Sequence, residues 1–261
     1  MEQHFNTPAE VIDNNMKAGE GKAHLPLGKM ILLGIMAGAF IALGGATSST
    51  AAHAIDNVGL ARFVAGIIFP VGLMIIVFVG GELFTGNCLM VMALLERRIT
   101  PVQLLRNWLT VYLGNAVGGA AVAALAVYSH TASLFGDGLA RSMVSIAESK
   151  AALGAGDAFL RGVLCNFLVC LAVWMAAASK RAEGKVIALF FPILLFVLCG
   201  YEHCIANLYY LPAGAFAAAE YGVETTLTLA GCLENLAAVT LGNLVGGAAL
   251  GVGYRFAYLK E

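Results

Sequence analysis

A thirteen-residue stretch that begins at Asn107 returns in nearly the same order at Asn235, 128 positions later. Both copies keep the pattern Leu-Gly-Asn-x-Val-Gly-Gly, which contains Asn115 in the first copy and Asn243 in the second. A chain that repeats itself at this distance is expected to fold as two related halves. In membrane proteins built this way, the functional site lies where the two halves meet.

A weaker echo of the duplication contains two acidic residues, Glu82 and Glu202. The first copy reads Gly-Gly-Glu82 with Asn87 five residues later, and the second reads Gly-Tyr-Glu202 with Asn207 five residues later. Each carboxylate lies in the middle of a long apolar run. Ionisable residues at membrane depth are costly and usually mark ion or proton pathways, so the pattern favours a transport protein.

The composition indicates an integral membrane protein. Hydrophobic residues make up 60% of the chain and charged residues 12%, against roughly 45–50% and 25% in globular proteins. In a membrane protein the net charge of −1 says nothing about nucleic acid, but no basic patch with interleaved aromatic residues occurs, so no nucleic-acid partner is predicted. The six cysteines show no C-x-x-C spacing, so neither a metal site nor a cofactor is predicted.

The apolar runs predict an all-α fold with six transmembrane spans. These lie near residues 30–49, 63–95, 107–128, 158–178, 186–218 and 233–257. The second and fifth are too long for one crossing and too short for two, and each contains a single charge, so we predict that both are broken. Gly80, Gly81 and Gly86 favour a break in the first, and Gly200, Pro212 and Gly214 permit one in the second. Irregular backbone at membrane depth is tolerated only where it is surrounded by protein or lines a water-filled cavity.

The span count and the cations predict the topology. Three spans per repeat place the second half upside down, which gives an inverted 3+3 repeat of residues 30–128 and 158–257. Eleven Lys and Arg residues, Lys260 among them, would share one side, and four the other. Because the loops of membrane proteins that face the cytoplasm carry an excess of Lys and Arg, the side with eleven is predicted to be cytoplasmic. Both termini lie on that side, and the protein is predicted to lie in the inner (plasma) membrane. The four outer cations are Arg62, Arg141, Lys150 and Arg161.

The segment before the first span forms a separate cytoplasmic unit in this prediction. Residues 1–29 precede the channel domain of residues 30–261. Thr7, Pro8 and Glu10 have the form of a capped helix start. Val11, Ile12 and Met16 recur at helical spacing beyond it, so the segment is predicted to be a short amphipathic helix that braces the cytoplasmic surface.

His203, directly after Glu202, is the strongest candidate for chemistry. Its unperturbed pKa near 6.5 suits proton exchange with a bound weak acid. Thr85 offers a hydroxyl at the opposite break, although Thr in membrane helices commonly bonds its own backbone. Glu82 and Glu202 are either proton carriers or acceptors for backbone amides freed by the breaks, and we favour the second interpretation.

Three further polar residues are less decisive. Asn115 and Asn243 are interpreted as packing residues, because small residues beside them let helices approach closely while Asn bonds across. Lys150, in the outer loop, is either merely solvated or a lysine that raises the local anion concentration. The sequence leaves those two alternatives for Lys150 open.

With these residues in place, the chain resembles the formate–nitrite transporter family. The resemblance rests on Gly-Glu-Leu-Phe-Thr-Gly-Asn at 81–87, Asn-Phe-Leu-Val-Cys-Leu-Ala-Val-Trp at 166–174 and Gly-Tyr-Glu-His-Cys-Ile-Ala-Asn at 200–207. It implies an aquaporin-like protomer, assembly as a homopentamer in the lipid bilayer, and one pore per protomer. Members of the family are passive or proton-coupled conduits for small monovalent anions, not enzymes.

The resemblance also assigns residues to roles. The pore and substrate residues would be His203, Thr85, Asn166 and Lys150. The constrictions would be Leu73, Leu83 and Phe84 on the cytoplasmic side, and Phe69 and Phe196 on the periplasmic side. The broken helices would be supported by Glu82, Glu202, Asn87 and Asn207.

Formate is the first substrate expected from the resemblance, with nitrite and hydrosulfide as alternatives and protons as possible co-substrates. An aquaporin-like neutral-solute channel is the alternative from a different class, but the paired Asn-Pro-Ala motifs of aquaporins are absent. A membrane oxidoreductase would require ligand pairs at helical spacing, which the five histidines do not supply.

Overall fold

The computed structural model describes residues 4–259, so Lys260, one of the cations used to predict the topology, lies outside the described residues. Over these residues the chain is all-helical, and its only extended pairing is an isolated bridge between Phe5 and Ser179. The all-α prediction is therefore confirmed. The α-helices are α1 (Pro8–Ala23), α2 (Leu27–Ala52), α3 (Val58–Ile68), α4 (Val71–Val79), α5 (Phe84–Asn87), α6 (Val91–Leu95), α7 (Pro101–Tyr128), α8 (Gly138–Ala151), α9 (Ala155–Ala178), α10 (Ala182–Leu198), α11 (Cys204–Tyr221) and α12 (Leu229–Tyr258).

Five helical segments of the described chain are long and apolar enough to cross a membrane. They are α2, the pair α3–α4 (Val58–Val79), α7, α9 and α12. They overlap five of the six predicted spans. The predicted fifth span, 186–218, is instead divided between α10 and α11, which reach 17 and 18 residues.

Both long apolar runs change from helix to irregular backbone near their middle. Helix α4 ends at Val79, and α5 begins at Phe84; helix α10 ends at Leu198, and α11 begins at Cys204. Gly80 and Gly200 lie at these helix ends with φ of 98° and 69°, a region that other residues rarely adopt. The expectation that Pro212 and Gly214 permit the second interruption is wrong, since both lie inside α11. Gly86, expected to favour the first, likewise lies inside α5.

The long helices pack through glycines at positions related by the 128-residue offset. Helix α2 packs against α7, and α9 packs against α12. A Cβ atom added at Gly118 would overlap the backbone oxygen of Ile35, and one added at Gly246 would overlap that of Val163. Both glycines therefore allow backbones to approach more closely than any side chain permits.

The N-terminal helix α1 begins where Thr7, Pro8 and Glu10 predicted a start. The Thr7 hydroxyl accepts from the backbone N–H of Glu10, and the Glu10 carboxylate accepts from the backbone N–H of Thr7. Val11, Ile12 and Met16 are buried on one face of α1. That face packs against α6 and α9, which fixes the helix to the body of the protein.

Candidate functional site

Asn115 holds the start of α5, the first helix after an interruption. Its Oδ1 accepts a hydrogen bond from the backbone N–H of Phe84 at 3.0 Å. Its Nδ2 donates to the backbone oxygens of Gly34 and Glu82 at 2.7 and 2.9 Å. The first N–H groups of any helix lack acceptors inside the helix. Asn115, which lies on α7, supplies the acceptor for one of these groups in α5.

Asn243 does the same for the second interruption, 128 residues later. Its Oδ1 accepts from the backbone N–H of Cys204 at 2.9 Å. Its Nδ2 donates to the backbone oxygens of Gly162 and Glu202 at 2.8 and 2.9 Å. The backbone amides were expected to be accepted by Glu82 and Glu202, but the two asparagines accept them. An amide side chain suits this place better, because it serves an N–H and two carbonyls at once.

Glu82 is held by side chains. Its Oε1 lies 2.7 Å from Lys22 Nζ, and its Oε2 accepts from Asn87 Nδ2 at 2.7 Å. The same Asn87 Nδ2 also donates to Asn107 Oδ1 at 2.8 Å, and Lys22 Nζ donates to Asn87 Oδ1 at 2.9 Å. The Glu82 side chain is only 7% exposed, and Lys22 of helix α1 compensates its buried negative charge.

Glu202 lies in the corresponding cluster of the second half. Lys150 Nζ lies 2.9 and 3.0 Å from its two carboxylate oxygens, and Asn207 Nδ2 donates to Oε2 at 2.7 Å. Asn207 Nδ2 also donates to Asn235 Oδ1 at 2.8 Å, while Asn207 Oδ1 has no hydrogen-bond partner. Because Lys150 is paired and mostly buried, the interpretation of it as a merely solvated lysine is wrong.

Lys22 is the residue of this arrangement that sequence reasoning missed. It was counted only as one of many cytoplasmic cations. Its position, 128 residues before Lys150, is the offset that relates Asn107 to Asn235. The repeat offset would therefore have found Lys22 if it had been applied outside the apolar segments.

His203 and Thr85 bring the two interruptions into direct contact. The backbone N–H of Ala206 donates to His203 Nδ1 at 3.1 Å, so His203 caps the start of α11. A ring nitrogen that accepts carries no hydrogen, which places the hydrogen of the neutral ring on Nε2. Nε2 lies 3.0 Å from Thr85 Oγ1 and therefore donates to it. Adding a proton to Nδ1 would break the cap of α11.

Two cavities meet at His203. The larger, hereafter the vestibule, has a volume of about 450 Å³ and contains Lys150, Glu202 and Tyr210 in its wall. The smaller, hereafter the chamber, has a volume of about 10 Å³, close to the minimum of roughly 10–15 Å³ that one water needs. The chamber is lined by Ile41, Phe69, Leu73, Leu83, Val169, Ile193, Phe196 and His203.

Phe69 and Phe196 separate the vestibule from the chamber, since both line both cavities. Their rings meet edge to face with centroids 5.5 Å apart. The Phe196 ring also stacks on His203, with centroids 5.8 Å apart and an interplanar angle of 21°. An aromatic pair in contact with the imidazole thus closes the chamber toward the vestibule.

Phe84 and Asn166 lie beside the chamber lining rather than within it. Phe84 packs edge-on against Tyr112 and Trp108, with ring centroids 5.1 and 6.4 Å apart. Asn166 Nδ2 donates to the backbone oxygens of Thr85 and Asn243 at 3.2 and 2.7 Å. Asn166 therefore fixes the backbone that carries Thr85 instead of presenting its own amide to either cavity.

Comparison with known proteins identifies relatives along nearly the whole chain. The sequence model of the formate/nitrite transporter family matches residues 9–257. The chain is 39% identical over 277 residues to a probable formate transporter of Methanothermobacter thermautotrophicus, covering 98% of each.

Two solved structures share the fold. An FNT family ion channel superposes with a TM-score of 0.84 at 30% identity, covering 95% of this chain and 99% of the other. A pentameric formate channel with formate bound superposes with a TM-score of 0.79 at 31% identity, covering 90% and 98%. The likeness thus extends over almost the full length of both structures.

Proposed function

The chain belongs to the formate/nitrite transporter family, and we propose that it is a membrane channel for small monovalent anions of weak acids, formate first. Formate is supported by the probable formate transporter among its relatives and by the formate-bound channel of the same fold. Nitrite and hydrosulfide, which resemble formate in charge and small size, are the alternative substrates.

The proposed architecture is a six-span inverted repeat, with broken second and fifth spans, in an aquaporin-like protomer of a homopentamer. Tyr112 and Thr240, which are 128 residues apart, contact each other with their oxygens at 3.1 Å. Contact between equivalent positions is expected beside a two-fold axis. The pentamer is supported by the pentameric channel of the same fold. The proposed domains are the cytoplasmic segment 1–29 and the channel 30–261, with both termini cytoplasmic in the plasma membrane.

One observation carries the proposal: His203 lines both the vestibule and the chamber. All the other residues that line the chamber are apolar. A bare anion is strongly penalised in such an apolar passage. The same solute crosses far more easily once a proton neutralises it. A single polar, ionisable group at the entrance therefore fits a weak acid that is protonated before it passes.

The proposed mechanism begins with anions that collect in the vestibule near Lys150. They then meet the constriction of Phe69 and Phe196, which must open, because the chamber is too small for an anion. His203 Nε2–H donates to Thr85, so the Thr85 hydroxyl keeps its own hydrogen for an anion that reaches the break. The proton comes from the water of the vestibule, and His203, which polarises Thr85, favours its uptake by the anion directly or electrostatically.

The remaining roles follow the same pathway. Leu73, Leu83 and Phe84 form the cytoplasmic constriction in this proposal, with Leu73 and Leu83 already on the chamber wall. Asn166 positions Thr85 through its backbone oxygen. Glu82 and Asn87 at one break, and Glu202 and Asn207 at the other, hold the interruptions open and fixed.

Side-by-side flux of formate, nitrite and hydrosulfide into proteoliposomes tests the function. We expect saturable anion flux that rises as the external pH falls. Proteoliposomes in iso-osmotic glycerol should not swell faster than empty ones. Rapid swelling in glycerol without flux of any of the three anions would replace the proposal with a neutral-solute channel.

A further inference from the structure

The charged side chains of the vestibule are mostly basic. Arg62, Lys150 and Arg161 line it together with one acidic residue, Glu202. Lys150 and Glu202 neutralise each other through their ion pair. Two positive charges of the lining, Arg62 and Arg161, are therefore left over.

Neither arginine takes part in an ion pair among residues 4–259, and both are exposed. Both nevertheless lie at the segment that leads to His203. The Arg62 guanidinium lies against Gly200, where an added Cβ atom would overlap it. The backbone oxygen of Arg161 accepts from the backbone N–H of Glu202 at 3.3 Å. The two residues thus flank the route from the vestibule to the constriction.

The repeat shows that the fold does not need an arginine at position 161. The residue 128 positions earlier is Leu33, and its backbone oxygen accepts from the backbone N–H of Glu82 at 3.1 Å, the same bond in the first half. A leucine therefore serves the structural purpose equally well. The guanidinium of Arg161 must be explained by something other than this contact.

The proposed topology makes the position of these charges more informative. Cations are disfavoured on the outer side of a plasma membrane protein. Of the four outer cations, three line this one cavity, while Arg141 does not and instead donates to the backbone oxygen of Gly136 at 3.4 Å. The outer positive charge of the chain is concentrated where a solute would enter.

We propose that Arg62 and Arg161 form an anion-capture site in the vestibule for small carboxylates and oxyanions, ahead of the Phe69–Phe196 constriction. The inference rests on the proposed function and assigns two residues that hold the anion while it collects in the vestibule, where the charge of Lys150 is paired with Glu202. A guanidinium matches the planar, two-oxygen shape of formate or nitrite. Positive charge in a cleft also raises the local anion concentration and the rate of entry, an effect that salt screens.

External-formate uptake by right-side-out membrane vesicles tests the site, with Arg62→Gln, Arg161→Leu and the double variant. Arg161→Leu installs the residue that the first half already uses. At low ionic strength we expect the double variant to need about fivefold more external formate for half-maximal uptake. Its maximal rate should stay unchanged, because the chamber is untouched, and high ionic strength should remove most of the difference.

Two control variants make the result specific. Arg141→Gln removes an outer cation away from the vestibule and should leave the half-saturating formate concentration unchanged. Arg161→Lys keeps the charge and should stay within about twofold of the wild type. Equal half-saturation of the double variant and the wild type would overturn the capture site, as would an equal effect of Arg141→Gln.

The same uptake assay separates this proposal from two others. If the effect of the arginine variants vanishes when the protein is reconstituted into vesicles without acidic phospholipids, the arginines contact lipid headgroups and the capture site is wrong. If wild-type vesicles take up none of the three anions, the proposed function itself fails, whatever the arginine variants do.

Discussion

His203 Nε2 donates a hydrogen bond to Thr85 Oγ1 at 3.0 Å, which joins two interruptions that lie 118 residues apart in the sequence. Both side chains are almost completely buried. The duplicated parts of the two halves, the Glu–Asn–Lys clusters and the capping asparagines, surround this pair without containing it. The polar contact at the meeting point of the halves is thus the place where the two copies differ.

Replacing Thr85 with Val tests the importance of that contact. Valine has the shape of threonine but leaves the His203 Nε2–H without an acceptor. It also removes the hydroxyl that would donate to the anion, and because a hydrogen bond to a charged group contributes about 1.5–3 kcal/mol, we expect formate flux to fall about tenfold or more. Proteoliposome flux per amount of folded, reconstituted protein measures it. Thr85→Ser keeps the hydroxyl and should retain most of the flux; equal losses in both variants would contradict the role of the hydroxyl.

Replacing Glu202 with Gln leaves the Lys150 ammonium largely buried and without its counter-charge. Loss of one partner of a buried pair destabilises a protein by roughly 3 kcal/mol, so thermal unfolding in detergent should occur at a clearly lower temperature. Removing the charge of Lys150 as well, as Lys150→Met, should restore part of the loss.

Glu96→Gln is the matched control for Glu202→Gln. The ion pair of Glu96 with Arg255 has side-chain exposures of 30% and 25%, against 9% and 15% for Glu202 and Lys150. An exposed pair contributes at most about 1 kcal/mol, so the unfolding temperature should change little. Equal shifts for Glu96→Gln and Glu202→Gln would show that burial of the Lys150 pair is not what matters.

Gly246→Ala should prevent α9 and α12 from packing together and hence the chain from folding correctly. The added Cβ atom would overlap the backbone oxygen of Val163, and two helix backbones cannot separate without losing their packing. Gly118→Ala, at the equivalent position, should have the same effect. Gly253→Ala, where the added atom meets open space, is the control. Size-exclusion chromatography reports assembly, and a normal profile for Gly246→Ala would contradict the close approach of α9 and α12.

The hydrogen bonds of Glu148 to the segment between α11 and α12 are expected to be sensitive to acid. Hydrogen bonds from the backbone N–H of Thr226 and from the hydroxyls of Thr225 and Thr226 lower the pKa of Glu148. A lowered folded-state pKa contributes stability above the unfolded pKa, and that stability is lost as the pH falls through the folded value.

Hydrogen exchange measures this contact at the Thr226 amide, with Glu148→Gln compared at each pH. The wild type should protect the amide more than the variant at neutral pH. This difference in protection should disappear below pH about 4, because the lowered pKa of Glu148 lies below the ordinary glutamate value. Equal protection in both proteins at neutral pH would show that the carboxylate does not hold the loop.

The sequence predicted the helical class and the apolar segments, because apolar runs are readable directly. It predicted the wrong partners for the interruptions. Asn115 and Asn243 were interpreted as packing residues, although each supports a helix start from another helix. Such a contact depends on which helices become neighbours, and this is decided by tertiary packing rather than by the local sequence.

Lys22 shows a second reason for incomplete prediction. It lies outside the apolar segments, so hydropathy gives no reason to pair it with Glu82. In the structure, helix α1 brings it 2.7 Å from that carboxylate. Arg62 and Arg161 were likewise counted only as outer cations, since their common cavity forms between segments far apart in the chain.

In the proposed mechanism, His203 enables weak-acid anions to cross the chamber. Formate flux through proteoliposomes carrying His203→Phe, measured at acid and at neutral pH, tests it most directly. Phenylalanine fills a similar volume but cannot donate to Thr85 or exchange a proton. We expect a large loss of formate flux and a changed pH dependence. Flux equal to the wild type at both pH values would contradict it.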